Sequence, residues 1–131
     1  MSCVDRMEDR FVTDGFLREN KECVFVFGDN TLRKGKGGAA KLRDHQNSYG
    51  FITKIYPDNR DNSFYRPNCY EEVFKSEIER LKIEATSNPD NIYMVSQLGA
   101  GLANRYKIWD KIIKPRIKIE LKGFKNIEFL W

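Results

Sequence analysis

Histidine occurs once in this chain, at His45, and cysteine three times, at Cys3, Cys23 and Cys69. One histidine and no Cys-x-x-Cys spacing give no recognisable metal cluster or zinc knuckle. An odd cysteine count gives no disulfide framework and suits a reducing cytoplasm. No apolar run approaches the roughly 18 residues that span a bilayer, and "MSCVDRMEDRF" lacks the apolar core of a secretory signal, so neither a membrane nor export is expected. Two nucleotide signatures are also missing. "GKGGAAK" lacks the GxxxxGK[ST] spacing of a Walker loop, and no clean GxGxxG is followed by an acidic residue about 20 positions later, which argues against ATP hydrolysis and ordinary NAD redox chemistry.

What is present is a globular composition of 131 residues, 40% hydrophobic and 32% charged with both signs mixed, enough for one domain over 1–131. The net charge is +4, and its placement is uneven. Arg33, Lys34, Lys36, Lys41 and Arg43 form an acid-free stretch. A second stretch, from Arg105 to Lys125, sets eight basic residues against Asp110 and Glu120. Each adjoins a glycine-rich segment.

The continuous apolar run "CVFVF" at 23–27 predicts a strand covered on both faces, ending at Gly28. "RFVT" before it reads as a short strand, with Asp14 capping a brief helix, and "GAAKLRDH" after it reads as a helix. "GFITKIY" at 50–56 alternates as a second strand, and the loop 57–68 follows. Asn68 and Glu71 have the spacing of a capping box, and Tyr70, Val73, Phe74, Ile78 and Leu81 recur at helical intervals. "IYMVS" and "NIEFLW" read as further strands. Between them lies a helix kinked or restarted at Pro115. Strands alternating with helices predict a three-layer α/β/α domain around a mixed, mostly parallel sheet.

Both glycine segments, "GDNTLRKGKGG" and "QLGAGLA", directly follow strands, where open α/β sheets bind ligands. Glycine lets the backbone approach a ligand closely and present amide N–H groups, a chemistry suited to a diphosphate. Tight turns alone would also account for the glycines. The basic C-terminal segment reads either as a solvated face or as a nucleic-acid footprint, the latter the lesser alternative.

"VFVFGDNTLRKGKGGAAKL" and "VSQLGAGLANR" together resemble the two ligand loops of the macrodomain superfamily. "FITK" and "LGAGLA" are most similar to its ADP-ribosyl-glutamate protein glycohydrolase branch. Short phage and bacterial proteins also share "FGDN…GKGG", which implies no activity.

The resemblance implies a macrodomain-like fold and a cleft for ADP-ribose or a related NAD-derived nucleotide, with ADP-ribosylated protein as a partner and no cofactor. It implies Asp14 facing the adenine and Asn30 the distal ribose. Gly35, Gly37 and Gly38 would line one side of the diphosphate, and Gly99, Ala100, Gly101 and Leu102 the other. Lys54 would be the nucleophile, its amine made reactive by a lowered pKa. Where that branch carries its catalytic aspartate this chain has Ala103, and Asp29 or Asn104 are the neighbours considered in its place. Hydrolysis and capture without turnover both remain open on these residues.

Overall fold

A computed structural model of the chain describes residues 2–131. Its sheet has four strands, β1 (Cys23–Asn30), β2 (Ser48–Lys54), β3 (Ile92–Val95) and β4 (Ile127–Phe129), in the order β2-β1-β3-β4. The fold is α/β as expected, and its sheet is parallel throughout rather than mixed, since every neighbouring pair is parallel. The antiparallel contact that does occur is an isolated bridge between Lys54 and Phe64, outside the sheet proper.

The apolar run predicted as a buried strand forms the interior strand β1, whose side chains alternate between two cores. Val24 and Val26 join Tyr93 and Val95 against α2 (Pro67–Ser87) and the C-terminal helical segment. Phe25 and Phe27 point the other way and pack with Met94, Leu42, Val12 and Leu17 of α1 (Asp14–Glu19). Because a strand with both faces covered needs no polar side, an unalternating sequence is what this position requires.

α2 buries Tyr70, Phe74, Ile78 and Leu81, the stripe read from the sequence. Its start differs: Arg66 is the N-cap and Pro67 the first helical residue, where a missing N–H costs nothing. Asn68 therefore lies inside the helix and makes no capping box. α1 is capped by Thr13, whose Oγ1 accepts from the Phe16 amide at 3.1 Å, rather than by Asp14. The "RFVT" segment is not a strand, and "GAAKLRDH" makes only a 3-10 turn over Gly38–Leu42. At Pro115 the helix restarts: a π-helical turn, Trp109–Ile113, gives way without a gap to α3 (Lys114–Glu120), whose first turn holds the proline.

Cys3 and Cys23 are joined in a disulfide, their Cα atoms 6.0 Å apart. This corrects the expectation of free thiols. A separation of 20 residues carries no pairing signal, and only the fold brings the N-terminal segment against the start of β1. Cys69 is free and exposed.

Among the described residues no helix is long and apolar enough to cross a membrane.

The Tyr49 hydroxyl is buried without a hydrogen-bond partner among the described residues, and burial pushes its pKa up to about 12. Removing an unpaired buried hydroxyl relieves a desolvation cost, so Tyr49→Phe is expected to raise stability by about 1 kcal/mol in urea unfolding at neutral pH. The native state keeps this proton up to about pH 12, whereas a free tyrosine loses it near 10. Stability is therefore lost as pH rises through that window, and the phenylalanine variant loses less. A destabilised Tyr49→Phe protein would contradict the assignment.

Candidate functional site

The chain leaves β1 toward β2 on one side of the sheet, while β3 and β4 lie on the other. The carboxyl ends of β1 and β3 are thus a topological switch point, where the outgoing loops part and open a crevice. A cleft of about 440 Å³ lies there. Gly35, Gly37 and Gly38 line one wall, Gly99, Gly101 and Leu102 another, and Asn30 and Lys54 also border it. The two glycine segments, some 60 residues apart in the chain, therefore meet at one cavity.

The first loop is shaped from beneath by a buried charge cluster. β1 carries a register irregularity between Asp29 and Asn30, and Asp29 is 4% exposed. Arg43 grips both of its carboxylate oxygens, with Nη2 2.6 Å from Oδ1 and Nη1 3.1 Å from Oδ2, and Arg33 reaches Oδ2 at 3.2 Å. The Arg43 guanidinium also donates to the Gly35 carbonyl at 2.9 Å and the Lys34 carbonyl at 3.2 Å. Asp29 and Arg43 thereby fix the carbonyls at the head of the loop. The Asp29 carboxylate is thus held by two arginines and by the Asn30 amide at 2.8 Å.

Asn30 is occupied in a similar way. Its Oδ1 accepts from the Leu32 amide at 3.1 Å, and its Nδ2 donates to the Lys34 carbonyl at 2.8 Å. It borders the cleft while holding the turn that opens the loop.

In the second loop, Gly99 has φ +80°, and a Cβ there would stand 3.1 Å from Ile113 Cδ1, so both backbone and packing require glycine. Gly37 is different, because a Cβ added there meets nothing within 4 Å. The amides of Gly35, Gly37, Gly99 and Gly101 have no protein acceptor among the described residues. Both walls of the cleft thus carry backbone N–H groups without a protein acceptor among the described residues.

Ala100 departs from its expected place. It is not part of the lining, and its amide donates to the Gln97 carbonyl at 3.1 Å within the turn. Ala103 does border the cleft and is 7% exposed. Asn104 turns away, its Oδ1 accepting from the Trp109 amide at 3.0 Å and its Nδ2 donating to Asp110 at 2.8 Å, so it caps the following helical turn. Asn104 therefore does not line the cleft.

Lys54 ends β2 at the cleft wall. Its Nζ donates to the Asp58 carbonyl at 2.7 Å and sits 4.7 Å from the Phe64 ring centroid. Partial burial lowers its pKa, Asp58 opposes that shift, and Arg105 adds to it. The loop carrying Pro57 and Asn59 completes this wall. It is tied to the second glycine segment through Asp61, which accepts from the Tyr106 hydroxyl and pairs with Arg105 at 3.7 Å.

Asp14 lies outside this cleft. Its Oδ1 is 2.7 Å from His45 Nε2, and that hydrogen bond holds its carboxyl below the ordinary value. The cleft instead adjoins a largely apolar chamber of about 610 Å³ lined by Phe11, Val12, Phe25, Leu42 and Leu130 together with Arg10 and Lys41, and Gly38, Ala39, Ser96 and Gln97 border both cavities. Thr53, Ser96, Gln97, Pro57 and Asn59 went unnoticed in the sequence. Only their positions at or just after strand ends signalled them. Arg43 gave no local signal, since its partner Asp29 is 14 residues away.

No curated protein and no solved structure matches the chain. A family model does, that of a family of unknown function, DUF7831, over residues 7–106. That span takes in both glycine segments, Lys54 and the whole cleft lining, and on it the chain belongs to this family.

Proposed function

We propose that the protein binds ADP-ribose or a related NAD-derived nucleotide, with the diphosphate between Gly35–Gly38 and Gly99–Leu102. The observation that carries this reading is the pair of facing walls with unpaired glycine amides at the sheet's switch point. Lys34 adds a cation beside them. The adjoining cavity is roomy enough to take the base, with Phe11 and Phe25 as aromatic walls and Arg10 and Lys41 also on its lining. The macrodomain-like reading rests on the same order of strand, glycine loop, lysine strand and second glycine loop.

Turnover through Lys54 is the finer part of the proposal. Its lowered pKa favours nucleophilic use. Ala103, and an Asp29 already paired with two arginines, favour a second reading: capture of the nucleotide without hydrolysis. Asp29 is the one carboxylate in the lining among the described residues, and it has no oxygen to spare.

Calorimetric titration with ADP-ribose tests the binding. Wild type is expected to saturate. Gly37→Val, whose side chain enters open space rather than the core, should leave the melting temperature unchanged and weaken binding about tenfold or more, a loss of roughly 1.4 kcal/mol. Equal affinity in the two proteins, or no saturation of either at millimolar ligand, contradicts the site. For turnover, an ADP-ribosylated protein should lose its label with wild type and keep it with Lys54→Ala. Unchanged label in both assigns the cleft to capture.

A further inference from the structure

The π turn and α3 form one continuous helical rod that buries Ile108, Trp109, Ile112, Ile113, Ile117 and Leu121 against α2 and the sheet. The opposite face carries Lys111, Lys114 and Lys118 on the rod itself, with Lys107 just before it and Lys122 and Lys125 just beyond it, all exposed. Their spacings of three and four residues keep the row on one side of a helix. Lys118 stacks over Trp131 and donates to its carbonyl at 2.8 Å. The others have no ion-pair partner among the described residues, since the nearby pairs join Arg105 to Asp61 and Arg116 to Glu71. Asp110, at the margin, is hydrogen-bonded to Asn104.

An ordinary solvated helix face looks different, and α2 supplies the contrast in the same molecule. Its exposed side mixes signs in neighbouring pairs, Glu72 with Lys75 and Glu79 with Lys82. The lysine row carries one sign only, with Asp110 at its margin and Glu120 elsewhere on α3. Its six lysines exceed the formal net charge of +4, so the row contributes a large share of the basic character of the protein.

We infer that this lysine row is an interaction surface for the phosphate backbone of a nucleic acid. From Lys111 to Lys122 the row extends about 16 Å at the helical rise, and one nucleic-acid strand offers roughly five phosphates over that length. A straight array of like charges on a rod fixed by its buried face complements a linear polyanion. It does not suit a bilayer, because the apolar face that would insert is already in the core and Ile119 is the one large apolar side chain exposed beside the row. Contacts of this kind read phosphate and not sequence. The inference does not rest on the nucleotide reading of the cleft.

Fluorescence anisotropy with a labelled oligonucleotide of about 20 nucleotides, longer than the row, tests it. Wild type is expected to bind and to weaken between about 50 and 200 mM salt with a log–log slope of roughly −3 to −5. The triple variant Lys111→Glu/Lys114→Glu/Lys122→Glu should lose at least about tenfold in affinity while melting like wild type. Lys75→Glu/Lys82→Glu, which changes charge on α2, should bind nearly as well as wild type, as should Gly37→Val. Retained binding in the triple variant, equal loss in the α2 variant, or binding only to phosphatidylserine vesicles overturns the inference.

Discussion

Gly50→Ala is expected to unfold at a temperature lower by about 10 °C or more, although it adds one methyl group to an edge strand. The reason lies under the cleft. A Cβ on residue 50 would stand 2.9 Å from both Cβ and Cγ of Asp29, distances that real Cβ atoms do not adopt. Asp29 cannot turn aside, because Arg43 holds both carboxylate oxygens and Arg33 one of them. Accommodating the methyl means moving β2 away from β1 or breaking a buried ion pair, and the second route alone costs about 3–5 kcal/mol. Gly50 also offers its carbonyl to Arg33 at 3.1 Å and to Arg80, so a shift of the strand disturbs those bonds as well. Thermal and urea unfolding measure the effect, and an alanine variant as stable as wild type would show that the Asp29 cluster is not fixed as described.

Asp29→Ala should be nearly as damaging, with a loss of about 3 kcal/mol or more in urea unfolding. It leaves the mostly buried Arg43 guanidinium without its carboxylate, and removing one partner of a buried pair costs more than never having the pair. The informative companion is Arg43→Lys. It keeps the charge but loses the planar fork that serves Asp29 and the carbonyls of Lys34 and Gly35 together. Arg43→Lys should therefore retain more stability than Asp29→Ala, yet bind ADP-ribose more weakly than wild type in calorimetric titration. Wild-type affinity in that variant would show that Arg43 does not shape the loop.

The parts of this fold that were legible in the sequence are those where a single periodicity decides. The run at 23–27 had to be an interior strand because it has no polar side. The stripe from Tyr70 to Leu81 had to be a helix packed on one face. The proximity of the two glycine segments followed from each trailing a strand of one sheet. What stayed hidden depended on partners far along the chain. The segment after Gly38 looks helical, yet it stops after one 3-10 turn, and Gly38 at its head has φ +57°. Cys3 and Cys23 pair because the N-terminal segment lies beside β1, a placement that no spacing encodes. Asp29 looked like a spare carboxylate until Arg33 and Arg43 were found on it. Asn104 looked like a cleft residue until the next helical turn claimed its side chain.

The central claim is that two amide-lined walls hold one diphosphate. A crystal structure of the protein soaked with ADP-ribose measures it most directly. The account predicts the pyrophosphate oxygens within hydrogen-bond distance of amides in both Gly35–Gly38 and Gly99–Leu102, with the base in the chamber beside Phe11 and Phe25. A ligand seated elsewhere, touching only one of the two walls, or absent from the cleft at saturating concentration contradicts it.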